Sequence, residues 1–220
     1  ARLAAERDDL SDDVRNTFNS IASQCARISK VVSQLLTLAR PPSSSAEAVT
    51  DASVTAQEVV SFLSYECRKR GIKARVEAPS SPVRARVGHD RLFQVLFNLA
   101  MNALQAQPHG GALVVTVSED TETDNLHPPR RVVRLVVRDA GPGVPEALRG
   151  KVFDPFFSTR LSEGGTGLGL AVVAGIVRDL DGRVTVDANP DDPETPGAAF
   201  TVTLPAAGTR AVQAATDAQA

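Results

Sequence analysis

The chain has 220 residues with 24 Lys and Arg against 26 Asp and Glu, a formal net charge of −2, so it offers a nucleic-acid backbone no basic footprint. Aromatic residues make up 4% and Trp is absent, which disfavours base-stacking platforms, and two cysteines and three histidines without metal-ligand spacing argue against a disulfide framework or a zinc site. There is no run of about 18 apolar residues and no charged-then-apolar leader, so nothing here predicts membrane contact and the expected compartment is cytoplasmic.

From Leu3 to Ala39 there is no Gly or Pro, and apolar residues recur at heptad spacing: Val14, Ile21, Ile28 and Leu35, interleaved with Phe18, Cys25, Val32 and Ala39. That is a coiled-coil or bundle seam, which a lone helix cannot bury against itself. A homodimer through this N-terminal helix is the economical solution. The run ARPPSSSAE ends the pattern, because Pro41 disfavours helical dihedrals at Arg40 and the serines favour caps and turns. The expected organisation is a helical dimerisation segment at 1–41, a linker at 42–46, a mixed domain at 47–206 and a tail at 207–220.

Within the mixed domain the pattern predicts a helix over 54–70 with Ser53 as its N-cap, strands at 72–77 and 83–87, and a helix over 90–106 carrying Leu92, Leu96, Leu99 and Ala103 on one face. Two β-rich runs, 112–118 and 131–138, flank a polar loop containing His127, Pro128 and Pro129. A helix at 167–180 with Val173, Ile176, Val177 and Leu180 precedes strands at 183–188 and 198–204. Helices mixed with a mostly antiparallel sheet predict an α+β sandwich.

Opposite the apolar face of the 90–106 helix lie Gln94, Asn98, Asn102 and Gln105, spaced to line one side. A solvated face is the plainer reading, but such faces usually carry Lys and Glu. Neutral amides offer donors and carbonyl acceptors without charge, which suits a hydrated Mg²⁺ and phosphate oxygens. In VVRLVVRDAGPGVP, alternation turns Val133, Leu135 and Val137 inward and carries Asp139 to the same side. An Asp before Gly is also a common turn residue that bonds its own backbone. Gly141 and Gly143 strip side chains from the neighbouring wall, leaving room for a flat ligand whose exocyclic amine donates to the carboxylate; adenine fits. In GGTGLGLAVV, glycines leading into a helix expose backbone N–H groups at its positive end, an anion site. The stretch lacks the Lys-Ser/Thr ending of a P-loop and the spacing of a dinucleotide fingerprint.

Taken in order, these stretches resemble the ATP-binding catalytic domain of sensor histidine kinases, in the superfamily shared with gyrase, Hsp90 and MutL. QVLFNLAMNAL is similar to the N box, DAGPG to the G1 box, VFDPFF to the F box and GGTGLGLAV to the G2 box. The resemblance implies a Bergerat-type sandwich that binds ATP beneath a lid at about residues 144–166. It implies that Asn102 holds Mg²⁺, Asn98 supports the phosphates and Asp139 accepts from the adenine amino group. Gly141 and Gly143 would border the base, and Gly165, Thr166, Gly167, Leu168 and Gly169 would close on the phosphates. Phe153, Phe156 and Phe157 would anchor the lid, and Arg160 would reach the γ-phosphate. Gln105 stands where part of the family has Lys, which puts its phosphate contact in question.

The same resemblance requires an acceptor histidine on the dimerisation helices, yet His89, His109 and His127 all lie outside the heptad segment. In one reading, ARISKVVSQLLTLARP resembles the end of the second dimerisation helix and the acceptor helix lies before residue 1. In the other, SDDVRNTFNSI resembles the acceptor box with Asp12 in the histidine's place, a poor nucleophile there because it could give only an acyl phosphate. A response-regulator receiver domain is the implied partner, and the parent protein could carry a membrane anchor. Two alternatives stand beside the kinase: a non-catalytic module in which ATP sets the dimer state, and a serine kinase or ATPase of the same superfamily.

Overall fold

Alternating strands and amphipathic helices sort this chain into two layers. The computed structural model describes residues 48–123, 129–158, 166–189 and 197–208, together with Thr17. In chain order the elements are β1 (Thr50–Asp51), α1 (Ala52–Phe62), α2 (Ser64–Lys69), β2 (Ile72–Glu77), β3 (Arg84–Ala85), α3 (His89–Ala106), β4 (Gly111–Glu122), β5 (Arg130–Asp139), α4 (Glu146–Arg149), α5 (Gly169–Asp179), β6 (Arg183–Ala188) and β7 (Ala198–Pro205). The expected dimerisation helix and its seam lie outside the described residues.

The main sheet has five strands in the order β2-β4-β5-β7-β6. Only β2 and β4 run parallel; β4–β5, β5–β7 and β6–β7 are antiparallel. β1 and β3 form a separate antiparallel pair. Period-two alternation turns Leu113, Val115 and Val117 of β4, Leu135 and Val137 of β5, and Phe200, Val202 and Leu204 of β7 into one buried layer. The apolar faces of the helices cover it, with Ala56 and Val59 of α1, Leu92, Leu96 and Leu99 of α3, and Val172, Val173 and Val177 of α5 all buried. Each such Val, Leu or Phe contributes roughly 1.5–3 kcal/mol by leaving water. The other face of the sheet is wet and charged, with Arg134 on Asp120 at 2.8 Å and Arg75 on Glu77 at 2.9 Å. One dry and one wet face is the usual state of an antiparallel sheet. Cys67 is a core residue, its thiol pushed above the ordinary range by burial, so it is no nucleophile.

Local expectations needed correction at several boundaries. The cap of α1 is Asp51, whose carboxylate accepts the Ser53 N–H at 2.9 Å, so the helix starts earlier than a Ser53 cap would allow. The single helix expected over 54–70 is split at Leu63, where ψ is 0°. β3 is two residues long rather than five, and β4 runs on to Glu122, where Arg130 pairs with it at 2.6 Å across the hairpin. α5 begins at Gly169, because Gly167 has a left-handed φ of 65° that no helix accepts.

Candidate functional site

Asp139 is the last residue of β5 and is 3% exposed, as its strand parity dictates. Its Oδ1 accepts the N–H of Gly141 at 2.9 Å and of Ala198 at 3.2 Å. The side-chain amide of Asn189 donates to its main-chain oxygen at 3.1 Å. The turn-type bond to Gly141 and the inward placement therefore coexist. A Cβ on residue 141 would stand 2.9 Å from both Asp139 Oδ1 and the Ala106 methyl, so glycine lets the backbone wrap the carboxylate against the end of α3. Gly141 supports the acid from behind and does not line the cavity in front of it.

That cavity gathers Asn98, Asn102 and Gln105 from α3 with Asp139, Gly143, Phe157, Thr166, Gly167 and Gly169. Gln94, the first amide of the stripe, does not reach it. Sequence reasoning missed the apolar walls, chiefly Phe97, Met101, Val144 and Leu170. A signal for two of them was present: Phe97 and Met101 are spaced by four on α3, each one step from an asparagine of the stripe. Apolar walls beside a buried acceptor suit an aromatic base.

The start of α5 lines the same cavity through Gly169. Its N-cap residue, Leu168, makes no side-chain capping bond. Leu168 is 1% exposed and turned into the core, so it does not line the cavity as expected for the G2 box. Gly169 does line it, and a Cβ there would lie 3.8 Å from Asn98 Oδ1. Asn98 thus faces the positive end of α5, where leading N–H groups attract an anion. Asp139 is the one ionisable side chain among the described lining residues. Among the described residues no cluster of three His, Cys, Asp or Glu could hold a metal. A Mg²⁺ ion here would therefore take an amide oxygen with phosphate and water ligands, an all-oxygen set it accepts readily.

The aromatic residues expected to anchor the lid divide. Phe153 packs edge-on against Phe200 with centroids 6.4 Å apart, and Phe157 faces the cavity. Phe156 is 65% exposed with a left-handed φ of 64°, so it anchors nothing through its ring. Arg160, Gly165 and Asp12 lie outside the described residues, as does His127. His89 opens α3 with its Nε2 2.6 Å from Glu58, and this pair raises its pKa above the ordinary 6.5.

A buried carboxylate acceptor and a helix N-terminus line one cavity, a combination that on an α+β sandwich suits a nucleotide-binding domain. Residues 88–208 match the family described as histidine kinase-, DNA gyrase B-, and HSP90-like ATPase, and the chain belongs to it. It is 32% identical over 210 residues to the sensor histidine kinase ZraS of Escherichia coli (strain K12), covering 96% of this chain and 42% of that protein. Among solved structures, the mycobacterial sensor histidine kinase MprB aligns with a TM-score of 0.59 at 28% identity, over 73% of this chain and 97% of that one. Full-length ShkA in complex with AMPPNP aligns with a TM-score of 0.70 at 26% identity, over 92% of this chain and 41% of that one. The chain spans less than half the length of curated relatives such as ZraS. Among the described residues no helix is long and apolar enough to cross a membrane.

Proposed function

We propose that this chain is the ATP-binding catalytic portion of a bacterial-type sensor histidine kinase, supplying the γ-phosphoryl group of Mg-ATP to a histidine and from there to a response-regulator aspartate. The observation that carries the proposal is the buried Asp139 carboxylate, held by two backbone N–H groups, in the same cavity that the start of α5 lines. Asp139 accepts from the exocyclic amine of adenine. Phe97, Met101 and Leu170 exclude water from the base. Asn98 and the N–H groups of α5 hold phosphate oxygens, and Asn102 would hold a magnesium ion through its carbonyl oxygen, the ion supplying charge neutralisation on the triphosphate. Arg160, placed by the motif resemblance, would meet the γ-phosphate. In the transfer the bond from the γ-phosphorus to the bridging oxygen breaks, a nitrogen–phosphorus bond to the acceptor imidazole forms, and ADP leaves. The protein's contribution is positioning and charge.

The heptad segment that would dimerise the chain carries no histidine. His89 is engaged with Glu58, and His109 follows α3 in a turn. We therefore assign the acceptor to a separate helix, with Asp12 in the histidine's place of the acceptor box as the second reading. Incubation with Mg²⁺ and γ-labelled ATP tests this. The chain alone should take up no label, and a histidine-bearing dimerisation hairpin added in trans should gain label that survives alkali and not acid. Alkali-stable label on the chain itself would make one of its own three histidines the acceptor. No label on either would favour the non-catalytic module.

A further inference from the structure

α3 is followed by its C-cap residue Gln107, which leaves helical angles (φ −124°, ψ 69°) and is 3% exposed. A carboxamide this deep must satisfy both its ends. Its Nε2 donates back to the Ala103 carbonyl at 3.1 Å. Its Oε1 accepts two backbone N–H groups, from Ala112 at 2.9 Å and from Ala140 at 3.1 Å. Those donors have a common origin. The β4–β5 ladder closes with Leu113 opposite Asp139, so Ala112 and Ala140 are the positions one step beyond it, where the β4–β5 pairing supplies no acceptor. The side chain of Gln107 takes the place of the missing rung. The surrounding chain is shaped around it: a Cβ on residue 111 would lie 2.0 Å from Oε1, so Gly111 leaves the space that the carboxamide fills. Ala106, the residue before Gln107, is also the one against which Gly141 packs.

We infer that Gln107 is a positioning residue for base recognition, fixing the carboxylate of Asp139 relative to the Asn98 and Asn102 amides by tying the end of α3 to the residue that follows Asp139. It lines no part of the cavity itself and acts through its neighbours, Asp139 foremost. The inference rests on the ATP reading of that cavity. A carboxylate that accepts from the amine of adenine repels the oxo group that replaces it in hypoxanthine. Preference for ATP over inosine triphosphate therefore measures how firmly Asp139 is held, and the shared triphosphate serves as an internal control.

The test titrates ATP and inosine triphosphate into the whole chain and into the Gln107→Met and Gln107→Glu variants. Met matches the length of Gln and offers no oxygen to Ala112 and Ala140, and Glu keeps that oxygen. Gln107→Met should lower the ATP preference about tenfold, the usual scale for one buried hydrogen bond, with inosine triphosphate affinity changed by less than about twofold. Gln107→Glu should retain most of the preference. An unchanged ratio in Gln107→Met, even with a lower melting temperature, would overturn the inference, as would equal losses for both nucleotides. Should neither variant fold, amide exchange in the unsubstituted chain decides: protection of the Ala140 N–H like that of the β5 interior is expected, and exchange at an open-loop rate would overturn it. No ATP binding by the unsubstituted chain would instead remove the nucleotide reading itself and this inference with it.

Discussion

The backbone N–H of Phe156 donates to the carbonyl of Gly167 at 3.0 Å, and both residues hold left-handed angles, φ 64° and 65°. This contact ties the F box to the G2 box and brings together the two flanks of the stretch between them. It also explains the glycine. A Cβ at 167 would fall 2.5 Å from the carbonyl carbon of Phe156, a backbone atom with no freedom to move aside.

Gly167→Ala should therefore lower stability by about 1–3 kcal/mol, the usual scale of a strained φ, and weaken Mg-ATP binding as well, since Gly167 lines the cavity. Denaturant titration and calorimetry on the same preparation check both parts. Wild-type behaviour in each would show that residues 156 and 167 do not approach this closely.

Asp139→Asn keeps an oxygen for the Gly141 and Ala198 N–H groups and loses the charge that the proposed contact with the adenine amine uses. ATP affinity should fall roughly ten- to hundredfold, the scale of a hydrogen bond to a charged group, while the unfolding midpoint moves little. Unchanged affinity would remove Asp139 from the site.

Much of this was legible from the sequence because it follows from short-range periodicity. The alternation of Val133, Leu135 and Val137 fixes the side of the sheet on which Asp139 falls, and the 3.6-residue repeat of α3 sets Asn98 and Asn102 opposite Leu92, Leu96 and Leu99. What escaped depends on partners far away in the chain. Gln107 looks like one more polar residue at a helix end until Ala140, 33 positions later, is seen donating to it. The inward turn of Leu168 and the outward ring of Phe156 follow from the left-handed residues of that one contact, which no repeat announces. The parallel pairing of β2 with β4 is likewise set by the whole sheet. Asp51 took the cap from Ser53 because an Asp and a Ser two positions apart offer equivalent signals, and only the geometry of β1 chooses between them.

Asn102→Ala should remove the Mg²⁺ dependence of ATP binding, since no other described residue offers the ion a cluster of carboxylates to fall back on. Titrations with and without the metal would give the same dissociation constant for the variant and different ones for the parent. A persisting difference would move the metal to another ligand.

The His89–Glu58 contact links α3 to α1, and it makes stability depend on pH. The histidine pKa is raised chiefly by the hydrogen bond to Glu58 and then by Asp90, so the folded state holds this proton more tightly than the unfolded chain. The contribution is fully present below the ordinary value of 6.5 and is lost as the pH climbs through the raised value. The melting-temperature gap between the parent and His89→Ala should be widest near about pH 5.5 and narrow towards alkaline pH, above the titration range of histidine. A gap that stays constant with pH would show that the pair is not ionic.

Most direct of all is a calorimetric titration of the 220-residue chain with AMPPNP in the presence of Mg²⁺. Saturable one-to-one binding that falls roughly ten- to hundredfold in Asp139→Asn and is weakened when Mg²⁺ is withheld is the predicted result. No binding heat and no shift in melting temperature at millimolar nucleotide would contradict the assignment of this cavity to ATP.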